Sequence, residues 1–170
     1  LEFGAGVGIF GNYLINQGKN YLGVEIDKEI VSSTQRILGD RIIQGSIEDF
    51  EYKENFDFIF AFEVIEHISD LRRAISNVYK LLKEDGIFCF SVPNIMRSKN
   101  NDNKISQDKP PIHLNYFSIE SIKKIFPILG FNQLNVYERP YPMLSSSINH
   151  WLKYFIGDYR GITLLVRAKK

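Results

Sequence analysis

Residues 1–11, LEFGAGVGIFG, decide the fold. A short apolar strand runs into a glycine-rich turn, and a helix follows at once. That order heads an α/β unit, in which small residues let a ligand approach the backbone and the helix N-terminus presents free N–H groups. The glycines form two overlapping patterns. Gly4, Gly6 and Gly8 make G-x-G-x-G, whereas Gly6, Gly8 and Gly11 make G-x-G-x-x-G.

Outward from this stretch, periodicity alternates strand and helix. A helix is expected from Ile9 to Gln17, with Ile9, Phe10, Tyr13 and Leu14 inward and Gly18 at its end. YLGVEI is a second strand, and Asp27 caps a helix with Ile30, Val31, Thr34 and Ile37 on one face. RIIQG and FDFIFAF are the third and fourth strands. A helix over Asp70–Lys83 precedes the fifth strand, GIFCFSV, which Pro93 stops. Such alternation predicts a doubly wound α/β sheet, mostly parallel. The tail differs: SIESIKKIFPILG reads as a helix with Ile122, Ile125 and Phe126 inward, interrupted near Pro127. FNQLNVYE and GITLLVRAK then form an antiparallel pair of strands at the sheet edge.

The bulk numbers narrow the class. With 170 residues, 44% hydrophobic and 24% charged, the chain is expected to form one globular domain. A formal net charge of +1 gives no global pull toward nucleic acid or an anionic membrane, and Lys123–Lys124 and Lys169–Lys170 read as solvated ends. The single cysteine, Cys89, excludes an internal disulfide and reads as a buried structural thiol. No apolar run is long enough to span a bilayer and no signal peptide is visible, so a cytoplasmic location is expected. Leu1 falls inside a strand, which leads to the expectation of a preceding N-terminal segment outside this sequence.

Two carboxylates bear on the ligand. If Gly6 ended the first strand, as a dinucleotide loop requires, Glu2 would be buried beside apolar neighbours at high cost. In the other pattern Glu2 stands at the strand exit and faces a cation, such as the ammonium and sulfonium of S-adenosylmethionine. Glu25, about 20 residues past the loop, can accept both hydroxyls of a ribose and suits either ligand.

With its E-x-G-x-G-x-G, G-V-E-I-D and E-V-I-E-H motifs in order, the sequence resembles the class I S-adenosylmethionine-dependent methyltransferases over essentially its whole length. The resemblance implies a Rossmann-like seven-stranded sheet with an antiparallel last strand and helices on both faces. It places Glu2, Gly4, Ala5, Gly6 and Gly8 around the methionine end of the cofactor. Glu25 takes the ribose and Ile26 lies beside the adenine. Ser46, Ile47 and Glu48 line the other adenine edge, and Phe62 and Glu63 border the sulfonium. Many relatives carry Asp where this chain has Ser46. A nicotinamide-dependent oxidoreductase using Gly6, Gly8 and Gly11, or a non-catalytic cofactor-binding domain, is the alternative.

On the acceptor side, EVIEHISD brings Glu63, Glu66 and His67 together, and His113 and Tyr116 follow in DKPPIHLNYF. Two carboxylates and two imidazoles suit either a divalent metal or a general base with its orienting partner. His113, with His67, is taken as the base acting on a small or medium-sized hydroxyl acceptor, and no metal is assigned. Each histidine also has a structural reading, as a loop-pinning or helix-capping hydrogen bond. The polar stretch 94–111 reads as a lid or a disordered loop. The insertion over 139–160 between the last two strands carries an apolar stripe, Ile148, Trp151, Leu152, Phe155 and Ile156. This stripe reads as packing on its own domain, with a lid, a homodimer contact or membrane-surface docking as alternatives.

Overall fold

Seven strands order themselves around the glycine turn. The computed structural model describes residues 1–96, 110–139 and 163–170; the stripe at 148–156 and most of the polar stretch before Pro110 lie outside them. The strands are β1 (Glu2–Phe3), β2 (Gly23–Glu25), β3 (Ile42–Gln44), β4 (Phe56–Phe62), β5 (Leu82–Pro93), β6 (Gln133–Arg139) and β7 (Thr163–Lys169). They form one sheet in the order β3-β2-β1-β4-β5-β7-β6. The first five run parallel, and β7 enters antiparallel between β5 and β6. The tail pair therefore closes the sheet edge, as its two consecutive strand patterns predict.

Among the described residues four helices cover the two faces: α1 (Ile9–Asn16), α2 (Lys28–Leu38), α3 (Leu71–Leu81) and α4 (Ile119–Ile128). Alternation along β4 separates the faces. Ile59 and Ala61 are fully buried beneath α3 and α4. Phe60 and Phe62 point the other way and pack edge-on against Phe10 of α1. The main core joins Ala74, Ile75 and Val78 of α3 to Ile122 and Phe126 of α4 and to Phe88, Phe90, Leu164 and Val166 of the sheet. A smaller cluster of Ala5, Tyr21, Val31, Leu38 and Ile42 seats α1 and α2.

Local chemistry explains the boundaries. The Asp27 carboxylate accepts from the Glu29 and Ile30 amides, and that of Asp70 from the Arg73 amide. Ser118 and Ser121 bond reciprocally at the start of α4. Several expectations need correction. Ile9 (78% exposed), Tyr13 and Ile37 face outward, and Ile125 is only partly covered. Burial on α1 falls instead on Gly11, because a Cβ there would come within 2.4 Å of the Tyr21 ring. Pro127 lies inside α4, in its last turn, and the helix ends one residue later at Ile128. Lys169 and Lys170 are not merely solvated ends. Lys170 donates to the Leu82 carbonyl and lies over the Tyr79 ring, and Lys169 pairs with Asp85. Among the described residues no helix is long and apolar enough to cross a membrane.

Candidate functional site

Parallel strands present their ligand side at their carboxyl ends, where sheet order reverses. Here β1 lies between β2 and β4, and a cavity of about 480 Å³ opens above all three. Phe3 and Gly4 contribute from β1 and its turn, Glu25 and Ile26 from the end of β2, and Phe62 and Glu63 from the end of β4. Ser46, Ile47 and Glu48 close the far wall, and His67 stands at the rim. Glu2, Ala5, Gly6, Gly8 and His113 are not among the lining residues. A larger cavity, about 670 Å³, lies against Leu1, Phe56 and Asp57, at the amino ends of β1 and β4 and away from this chemistry.

The turn is shaped by contacts rather than by composition alone. Gly4 has φ +71°, and a Cβ there would meet Val64 Cγ2 at 2.4 Å. At Gly6, φ +52°, a Cβ would meet nothing within 4 Å, so the backbone is open to a close-lying ligand. Gly8 instead packs against Thr34 and Leu38 of α2. The Thr34 hydroxyl donates to the Gly6 carbonyl at 2.9 Å, holding the turn down.

Glu25 is the hub of this wall. Its Oε2 accepts from the Gly6 amide at 3.0 Å, and its Oε1 accepts from the Ile26 and Asp27 amides at 2.8 and 3.1 Å. Glu48 accepts from the hydroxyls of Ser46 and Ser69, so a carboxylate stands beside Ser46. Glu63 takes a left-handed backbone, φ 54°, and its Oε1 accepts from the Ser91 hydroxyl at 2.7 Å. Among the described residues three carboxylates thus line the cavity, and no lysine or arginine does.

Glu2 departs from its expected place. It lies within β1, 4% exposed, and accepts a hydrogen bond from the Tyr21 hydroxyl beneath the glycine turn. Burial pushes its carboxyl up to about 7, against the opposing effect of the Tyr21 bond. A buried carboxylate in the first strand therefore does not by itself separate the two glycine patterns, since a tyrosine two elements away satisfies it.

Beside the cavity rim the two acceptor-side segments are laced together. The Leu114 and Asn115 amides donate to the Glu66 carbonyl at 2.8 and 3.0 Å, and the Asn115 side chain donates to the Ile65 and Ile68 carbonyls. This brings the His67 and His113 rings to a centroid distance of 4.7 Å, edge to face. His67 Nδ1 lies 2.7 Å from the Ile112 carbonyl oxygen, and because a carbonyl can only accept, Nδ1 carries the proton. Glu66 is 1% exposed, and neither carboxylate oxygen has a hydrogen-bond partner among the described residues. Burial, with the nearby Glu63 carboxylate adding to it, pushes Glu66 up to about 8. One ligand atom from each of Glu66, His67 and His113 falls within 4.8 Å of the others. Tyr116 is exposed nearby. Cys89 is half-buried, and burial raises its thiol above the ordinary range, in keeping with a structural role.

Tyr21, Ser91 and Asn115 escaped the sequence reading. Their partners lie 19, 28 and about 50 residues away, and an isolated Tyr, Ser or Asn carries no periodic signal.

Residues 1–136 match the methyltransferase-domain family, and the chain belongs to that family. The ubiquinone biosynthesis O-methyltransferase of Rickettsia bellii is 27% identical over 99 residues, covering 55% of this chain and 41% of that protein. The chain thus spans about two fifths of the length of the curated relatives it matches. Among solved structures, an S-adenosylmethionine-dependent methyltransferase from Thermotoga maritima superposes with a TM-score of 0.75 at 20% identity. That superposition covers 99% of this chain and 80% of the other. Phosphoethanolamine N-methyltransferase 2 of Haemonchus contortus, in complex with S-adenosyl-L-methionine, gives 0.73 at 18% identity, covering 99% and 47%. The class I methyltransferase fold accounts for the strand order, the antiparallel β7 and the cavity position together.

Proposed function

We propose that the protein is an S-adenosylmethionine-dependent methyltransferase acting on a hydroxyl oxygen of a small or medium-sized acceptor. The observation that carries this reading is the charge of the cavity: Glu25, Glu48 and Glu63 on the wall, with no lysine or arginine among the described lining residues. A dinucleotide would bring its pyrophosphate into that field, whereas the methyl donor brings a sulfonium and an ammonium. The residues fit the donor. Glu25 accepts from the ribose hydroxyls, Ile26 and Ile47 flank the adenine, and Glu48 beside Ser46 accepts from its amino group. The open backbone at Gly6, with Gly4 and Glu63, receives the methionine end, and Phe62 borders the sulfonium. Glu2 and Tyr21 support the turn from below.

The donor carries an activated methyl group, so the protein's main tasks are to align an acceptor oxygen behind it and to exclude water. His67 and His113 stand beyond Glu63 on the acceptor side and prepare the hydroxyl, with His113 as the first catalytic residue. The name of the Rickettsia relative favours oxygen as the acceptor atom. A reducing cytoplasm suits a single unpaired cysteine, and no nucleic-acid partner is assigned. A homodimer contact through the 148–156 stripe remains part of the proposal, although that stripe lies outside the described residues.

Titration calorimetry tests the reading directly. S-adenosylhomocysteine is expected to bind one to one and NAD(H) not at all; the reverse result overturns it in favour of an oxidoreductase. His113→Ala is expected to keep donor affinity within about twofold while turnover falls roughly 10²–10⁴-fold. Near-normal turnover would remove His113 from the chemistry.

A further inference from the structure

We propose that Ser91 is a positioning residue of the methyltransferase site. Its hydroxyl holds the Glu63 carboxylate toward the sulfonium of the donor, and through Glu63 it sets the preference for donor over product. The proposal rests on the donor placement made above; the geometry behind it stands apart from that placement.

Ser91 is out of character for its strand. From Ile87 to Val92 β5 reads IFCFSV, and the neighbours Phe90 and Val92 are fully buried. Packing alone would favour another apolar side chain at position 91, since a hydroxyl only 8% exposed is costly unless it is hydrogen-bonded. Its bonds go to the cavity wall rather than to the core. The Ser91 hydroxyl donates to Glu63 Oε1 at 2.7 Å and accepts from the Glu63 amide at 3.2 Å. The Ser91 carbonyl accepts from the same amide at 3.1 Å. One serine thus holds Glu63 by side chain and by backbone.

Glu63 needs such a hold. Its φ of 54° lies in the left-handed region, which a residue other than glycine keeps only when its surroundings enforce it. The bend carries the chain out of β4 and lays Val64 against the glycine turn, where a Cβ on Gly4 would meet Val64 Cγ2 at 2.4 Å. The three wall carboxylates have different duties. Both oxygens of Glu25 accept backbone amides, and both of Glu48 accept serine hydroxyls. In the proposed placement those two serve the ribose and the adenine. Glu63 is the wall carboxylate at the end of β4, beside Phe62 and the sulfonium. A fixed carboxylate there stabilises the charged sulfur of S-adenosylmethionine and not the neutral thioether of S-adenosylhomocysteine. A carboxylate free to swing into water loses that distinction to the high dielectric of the solvent.

Titration calorimetry on the full chain gives the affinities for S-adenosylmethionine and S-adenosylhomocysteine, and hence their ratio. Ser91→Ala is expected to lower that ratio about tenfold, the magnitude of a hydrogen bond to a charged group, with S-adenosylhomocysteine affinity held within about twofold. Glu63→Gln should lower the ratio in the same way. The double variant should fall no further than Glu63→Gln alone, because both changes remove one shared interaction. A serine that only stabilises the sheet would lower the melting temperature, leave the ratio unchanged and add independently to Glu63→Gln; that result overturns the proposal. If Ser91→Ala does not fold, Ser91→Cys fills similar space with a weak donor and is read by the same rule. A wild-type chain that binds neither ligand defeats the methyltransferase reading and this inference with it. A wild-type chain that binds both, with a ratio indifferent to Ser91, defeats this inference alone.

Discussion

Glu25 shows how one side chain serves both fold and ligand. Its carboxylate takes amides from the glycine turn and from the start of the next segment, so it shapes the wall before any donor arrives. Glu25→Ala is expected to weaken S-adenosylmethionine binding by about 1–3 kcal/mol, the cost of unpaired ribose hydroxyls. Titration calorimetry checks this, and unchanged affinity would take the residue off the ribose. Glu2 makes a different prediction. Its carboxyl is pushed up to about 7 mainly by burial; the Tyr21 hydroxyl acts against the rise and Glu25 acts with it. The folded state thus holds a proton that the unfolded chain releases near 4.5. The Glu2 contribution is fully present below that value and is lost as pH rises through about 7, on the order of 3 kcal/mol by pH 8. Glu2→Gln still offers Tyr21 an acceptor oxygen and has nothing to titrate. Its melting temperature should fall less steeply between pH 5 and 8 than that of the wild type. Parallel slopes would show that Glu2 titrates normally.

Between elements, polar side chains decide how segments meet. Asn77 of α3 donates to the Ile47 and Phe50 carbonyls and fastens the segment bearing Ser46 and Glu48. Asn115 plays the corresponding part for the histidines, bonding carbonyls on either side of the 65–67 turn. Asn115→Ala leaves those carbonyls without a donor, at a cost of about 1–3 kcal/mol in denaturant unfolding. It should also lower turnover while donor affinity holds, because the donor wall does not include residue 115. A variant that loses stability and keeps full turnover would show that His113 is positioned by something else.

For the whole molecule, stability rests on the α3/α4 side of the sheet. Phe126 is 1% exposed within an aromatic cluster, with Phe90 at 4.9 Å and Phe131 at 5.7 Å between ring centroids. Phe126→Ala should cost about 3–5 kcal/mol, read as a lower urea midpoint at unchanged slope. A shift below about 1 kcal/mol would mean the cluster repacks around the gap.

The order of elements was legible in the residues themselves. Period-two alternation in FDFIFAF, the capping residues Asp27 and Asp70, and the glycine turn are local signals, since backbone sterics and nearest-neighbour hydrogen bonds produce them. So were Glu25, Ile47, Phe62 and Glu63 as wall residues, because each sits at or just past a strand's carboxyl end. The partners were not legible. Nothing local says that Tyr21 holds Glu2, that Tyr21 also forbids a side chain at Gly11, or that α1 turns Ile9 and Tyr13 to solvent. The same holds for Glu66, whose five-residue motif places it beside His67. Only the tertiary structure buries it without a donor and carries His113 to it from the far side of β5. Local periodicity and capping are short-range and survive in a string of letters. Burial and unsatisfied charge are properties of the packed chain, and they arise only when distant segments exclude water from the same point.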